Sequence, residues 1–116
     1  MSRYETGLSG EQTAERWLCE RGMRCAARRY RGADGEIDLV MLDGDTVVFV
    51  EVKSRPTRPA GTGIMAVTSA KRRRMTHAAM VFLMEKGWTD RSARFDVVEI
   101  SADGVLHVPN AFPAMK

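Results

Sequence analysis

Two apolar segments separated by a short polar turn, Gly35-Glu36-Ile37-Asp38-Leu39-Val40 and Val47-Val48-Phe49-Val50-Glu51-Val52-Lys53, constrain this chain more than any other part of it. The second reads as a buried strand, yet it carries Glu51 and Lys53 two positions apart, on one face of the pleat. Isolated buried charges are costly, so an acid and a base in such a strand point to a metal ion, a phosphate or mutual pairing. Glu36 and Asp38, also two apart, add carboxylates from the preceding strand. Asp43-Gly44-Asp45 reads as a hairpin turn, which makes strands over 35–42 and 46–53 antiparallel neighbours. With the turn centred near Gly44, Asp38 stands opposite about Val50, and Glu51 is an adjacent neighbour.

The rest of the chain supplies layers for that hairpin. Residues 10–21 read as a helix with Leu8, Glu11, Ala14 and Leu18 in one stripe and Gly22 as its stop, so Glu11 leans toward the packed side. Residues 23–30 form a first, Arg-rich strand. Pro56, Pro59, Gly61 and Gly63 mark 54–63 as a mobile loop with no regular element. Thr68 caps a helix reaching about Lys86, with Met75, Ala78, Ala79, Phe82 and Leu83 as its core stripe, Lys71 and Arg74 extending it, and Gly87 ending it. Strands over 94–101 and 105–108 flank an Asp103-Gly104 turn, before a C-terminal tail at 109–116. The predicted fold is one α/β domain over 1–116, order α-β-β-β-α-β-β, in which a strand-helix-strand unit brings 94–101 beside the sheet.

Composition narrows the setting. At 44% hydrophobic and 28% charged residues the chain reads as globular, without an apolar run near the roughly 18 residues of a membrane span. Residues 1–10 lack the apolar stretch of a secretory signal, and the expected location is cytoplasmic. Cys19 and Cys25 have no metal-ligand spacing and read as reduced structural thiols. The net charge is only +3, but Arg21, Arg24, Arg28, Arg29 and Arg31 form one acid-free block, and Lys53, Arg55, Arg58 and Lys71 through Arg74 another. Clustered Arg and Lys suit a polyanion such as nucleic acid; a solvated basic surface is the alternative.

Phosphodiester hydrolysis requires an activated water and neutralised phosphate charge, and a Mg²⁺ ion held by oxygen ligands supplies much of this. Asp38 and Glu51 are the candidate ligands, with the Val52 backbone carbonyl as a further one and Glu11 and Glu36 as candidate support. Lys53 is placed to orient or help deprotonate the water and to offset charge in the transition state. The competing reading of Glu51 and Lys53 is a salt bridge at a strand end; Glu36 competes as an exposed turn-edge acid and Glu11 as an arginine partner. Lys71 and Arg74 open a helix whose N-terminus favours anions, whereas Arg72 and Arg73 point elsewhere, toward diffuse backbone contact. His77 and His107 read as structural, and Trp17 and Phe82 as core.

Six ordered blocks carry a wider resemblance: Gly10-Glu11 with Ala14 and Leu18; Arg31 followed by Gly35 to Val40; Val48 to Arg55; Ala66-Val67-Thr68 with Lys71 and Arg74; Arg94 to Val98; and His107 to Phe112. Together they resemble the YraN family of small bacterial proteins, over nearly the whole chain. The spacing Asp-x12-Glu-x-Lys is similar to the signature of PD-(D/E)xK nucleases, with Ile37 where that signature has proline. The resemblance implies a restriction-endonuclease-like core, a mixed central sheet flanked by helices, and likeness to archaeal Holliday-junction resolvases. It implies Asp38, Glu51 and Lys53 as the catalytic set, Glu11 as the helix acid, Mg²⁺ or Mn²⁺ as cofactor, and DNA, branched or damaged forms included, as partner. Arg31, Arg55, Lys71 and Arg74 are the expected nucleic-acid contacts, and a homodimer follows by analogy. Two alternatives stay open: a nucleic-acid-binding module that does not cut, and an interaction protein whose acids form a structural ion-pair cluster.

Overall fold

The computed structural model of the chain describes residues 3–115, with side chains from residue 9 onward. The central hairpin joins β2 (Gly35–Asp43) to β3 (Thr46–Arg55) through Gly44 and Asp45, with Gly44 at φ 60°. The paired residues run from Asp43 opposite Thr46 to Leu39 opposite Val50. The turn is thus centred between Gly44 and Asp45, and the expected register is corrected by one residue: continued past the last pair, it brings Asp38 level with Glu51. β1 (Arg24–Gly32) adds antiparallel to β2, and β4 (Ala93–Ser101) lies parallel to β3, from Val47 opposite Ala93 to Arg55 opposite Ser101. β5 (Gly104–Phe112) pairs antiparallel with β4, which completes a five-stranded mixed sheet in the order β1-β2-β3-β4-β5.

The helices sit on opposite faces. α1 (Arg3–Glu20) buries Ala14 and Leu18 against Leu39, Met41, Val48, Val50 and Val98. α2 (Ser69–Lys86) buries Met75, Ala78, Ala79 and Phe82 against Ile37, Val40, Phe49 and Val97. It is the crossover that a parallel β3–β4 pair requires. Thr68 caps it by accepting from Lys71 N, and Gly87 at φ 71° ends it with its N–H on Leu83 and Met84 carbonyls, as expected. α1 begins well before Gly10, where the sequence suggested its start. Gly10 serves close packing instead, because a Cβ there would lie 2.7 Å from Ser54 Cβ. Leu8 of the expected stripe and Lys116 of the expected tail lie outside the described side chains.

Three other boundaries shift. β3 runs on through Ser54 and Arg55, into the stretch expected to be loop, and a 3-10 turn over Ile64–Ala66 precedes α2. The intervening segment is fastened: Glu99, 2% exposed, accepts from Gly61 N at 2.7 Å and Gly63 N at 2.6 Å, and Asp103 accepts from Ala60 N. β5 continues through Pro109 to Phe112, four residues beyond the expected strand end. As an edge strand it tolerates a proline that cannot donate to a ladder. Among the described residues no helix is long and apolar enough to cross a membrane.

Candidate functional site

β2 does not stay on one face of the sheet, and this places the acids. By alternation Ile37 and Leu39 should share a face, yet Ile37 packs in the α2 core and Leu39 in the α1 core. The change occurs at Asp38. On the neighbouring strand Arg28 pairs with Leu39 and Tyr30 with Ile37, leaving Arg29 level with Asp38, and Arg29 has a φ of 50°, rare for a residue with a side chain. Asp38 therefore reaches along the plane of the sheet: its Oδ2 accepts from Val52 N at 2.8 Å and caps β3 where the β2–β3 ladder has ended. A residue in an antiparallel strand sends its N–H and C=O to the same edge, so the Val52 carbonyl also faces β2.

Glu51 meets Asp38 there. It is 4% exposed, and its carboxyl is pushed up to about 8, first by burial, then by the charge of Asp38 and a hydrogen bond between the two carboxyls. Lys71 and then Lys53 act in the opposite direction. Lys71 reaches over from the first turn of α2 and sets its Nζ 3.3 Å from Glu51 Oε2. Lys53 is half-buried two residues beyond Glu51, opposite Glu99 of β4.

The other expected site residues are close but engaged elsewhere. Glu11, raised by burial and by Asp38, is bonded to Arg29 Nη2 at 2.8 Å. Glu36 accepts from Arg31 Nε at 2.6 Å on the exposed side. Neither joins the Asp38–Glu51 pair directly, and among the described residues no three or more His, Cys, Asp or Glu side chains are grouped to hold a metal ion. Two polar cavities meet at the Arg31–Glu36 bridge. One, about 310 Å³, is lined by Glu11, Arg29, Ile37 and Asp38 as well as the bridge. The other, about 490 Å³, runs between the β1–β2 turn and α2 and includes Lys71 and Arg74.

The two basic blocks differ in their partners, although Arg31 of the first shares a cavity with Lys71 and Arg74 of the second. Arg28 and Arg29 pair with Glu15 and Glu11 of α1, Arg31 with Glu36, and Arg21 stacks on Trp17, so the first block is largely matched by acids and aromatics. Arg72, expected to make diffuse contact with a nucleic-acid backbone, donates to Val67 O and lies over the Phe112 ring. Arg55 donates to Thr62 Oγ1. His77 pairs with Asp34 and His107 with Asp96.

Two acids escaped the sequence reading. Asp96, fully buried, accepts from His107 Nε2 at 2.7 Å, Arg94 Nε at 3.0 Å and Asn110 N at 2.9 Å, and so holds the irregular stretch where β5 bulges against β4. Glu99 fastens the 61–63 backbone. Both stand in Phe95-Asp96-Val97-Val98-Glu99-Ile100, an apolar run interrupted by acids. Charges in an apolar run demand a buried partner there as they do at Glu51, and that signal marks both acids.

A mixed α/β domain in which a buried glutamate meets a half-buried aspartate where the β2–β3 ladder ends, answered by a lysine from the crossover helix, is what these elements define. The chain belongs to Uncharacterised protein family UPF0102, whose family model matches residues 10–100. It is 45% identical to UPF0102 protein STH1475 of Symbiobacterium thermophilum, over 98% of this chain and 100% of that protein. It is 40% identical to a UPF0102 protein of Desulfosudis oleivorans, over 97% of this chain and 93% of the relative. A Geobacter metallireducens relative is 41% identical over 91% of this chain and 90% of its own length.

Proposed function

We propose that the protein is a metal-dependent endonuclease acting on DNA, with the restriction-endonuclease-like core and the kinship to YraN proteins and archaeal resolvases that its sequence blocks imply. The observation that carries this reading is the Asp38–Glu51 pair: two hard oxygen donors side by side, one of them 4% exposed and holding a proton to about pH 8 because burial, and after it the charge of Asp38, disfavours its ionised form. That donor set fits a divalent cation, which relieves the same charge. Asp38, Glu51 and the Val52 carbonyl would hold Mg²⁺ or Mn²⁺, and the bound ion would polarise the phosphate and lower the pKa of a water.

The chain's own residues supply the rest. Val52 N fixes Asp38 by its hydrogen bond, so the carboxylate needs little reordering. Lys53, on the strand that carries Glu51, offers a positive charge to the developing phosphate charge. Arg31, Lys71 and Arg74 line the larger cavity and offer donors to backbone phosphates on either side of the scissile one, with Arg55 at the far end of β3. Cytoplasmic DNA, branched forms included, is the proposed substrate, and a homodimer the proposed assembly.

A second reading has its own observation. Glu11–Arg29, Glu36–Arg31 and Glu51–Lys71 are pairs that a purely structural ion cluster would also make. Incubating the protein with linear, single-stranded and four-way-junction DNA in Mg²⁺ or Mn²⁺ separates the two. The nuclease reading expects cleavage of at least one substrate and a loss of ~10³-fold or more in Asp38→Asn. Cleavage that survives in that variant would mark a contaminant. Binding without cleavage would assign a non-cutting module, and neither binding nor cleavage would leave the ion cluster standing.

A further inference from the structure

We propose that Lys71 is a built-in counter-ion of the Asp38–Glu51 pair, a positioning residue that leaves Glu51 when a divalent cation binds and turns its ammonium to a substrate phosphate in the adjoining cavity. The inference rests on the metal-dependent reading above and assigns Lys71 a role distinct from that of Lys53. Its Nζ lies 3.3 Å from the buried Glu51 Oε2, while its side chain keeps 32% of its surface exposed and lines the cavity of about 490 Å³ shared with Arg31 and Arg74. One side chain therefore borders both the carboxylates and the space a phosphate would fill.

Its backbone is fixed, because Lys71 N donates to the Thr68 cap, but the four-carbon stem beyond it is flexible. An ammonium and a divalent cation on the same carboxylate oxygen repel each other and compete for its lone pairs. Lys71 thus keeps the metal-free site compact and weakens metal binding by the same free energy. Once displaced, its charge moves toward Arg31 and Arg74, so that metal and phosphate each favour the other's binding. Glu36 and Asp34, which also line that cavity, are already engaged by Arg31 and His77.

The test is Mn²⁺ affinity, measured by titration with detection of free Mn²⁺ by electron paramagnetic resonance, for the wild type, Lys71→Met and Lys71→Arg. Lys71→Met is expected to bind Mn²⁺ about tenfold more tightly, Lys71→Arg close to the wild type. In saturating Mn²⁺, inorganic phosphate should bind Lys71→Met more weakly than the wild type. Equal or weaker Mn²⁺ binding by folded Lys71→Met, with the wild type binding normally, overturns this inference alone. Absence of Mn²⁺ binding by both proteins overturns it together with the metal-dependent reading. Should Lys71→Met fail to fold without metal, Lys71→Gln and the Mn²⁺-induced rise in its melting temperature decide the point: a larger rise than in the wild type supports the competition, and an equal one contradicts it.

Discussion

At the scale of single residues, Glu51 makes the site legible in solution. Its folded-state pKa is raised from 4.5 to about 8, so the folded protein binds a proton that the unfolded chain has already released. The corresponding stability is fully present below about pH 4.5 and is lost as pH rises through about 8. In chelator, the melting temperature of the wild type should therefore fall relative to Glu51→Gln between pH 5 and 8, by an amount on the order of a few kcal/mol in stability. Glu15, lowered by its bond to Arg28, works in the opposite sense but only in more acid solution, outside that window. A melting-temperature difference that stays constant from pH 5 to 8 would contradict the assignment. The acid and base of the 47–53 strand were legible in the sequence because charges in a β-branched run demand a partner. Which lysine contacts Glu51 was not. Lys53 lies two residues away, whereas Lys71 arrives from α2 through a fold-dependent approach that no local spacing encodes.

Among the elements, the approach of α2 to β2 fixes how far Lys71 can reach. Gly35 is where they meet: a Cβ there would run into Arg74 O and lie 2.6 Å from Arg74 C, and backbone atoms cannot swing aside. Gly35→Ala should push the first turns of α2 outward and destabilise the fold by ~2 kcal/mol, read as a lower midpoint in urea unfolding. An unchanged midpoint would mean that the helix does not depend on this contact. The hairpin, the caps of α2 and the parallel return of β4 could be read from turn residues, from Thr68 and Gly87, and from the handedness rule for crossovers. The face change of β2 could not. It depends on Asp38 and Arg29 at the same level of two strands, and Arg29 adopts a positive φ without being glycine or asparagine. Period-two alternation therefore placed Glu36 with Asp38, whereas the twist sends Glu36 outward to Arg31.

For the whole molecule, one sheet with a helix on each face leaves the carboxylate pair where the β2–β3 ladder ends, with Asp38 on the wall of the smaller of two polar cavities that meet at Arg31 and Glu36, and Glu51 bonded to Lys71, which lines the larger one. Sequence clustering of arginines overstated the basic surface: Glu15 and Glu11 of α1 meet Arg28 and Arg29, the arginine pairing being the alternative already offered for Glu11, and Glu36 meets Arg31 across the β1–β2 turn. On the function proposed above, Asp38, Glu51 and the Val52 carbonyl would hold one divalent cation between them. Anomalous diffraction from crystals grown with Mn²⁺ tests it directly. A single strong peak in contact with Asp38 and Glu51, gone in Glu51→Gln, is the expected result; no peak there at saturating Mn²⁺, or a peak held by Glu11 and Glu36 instead, would rule that site out.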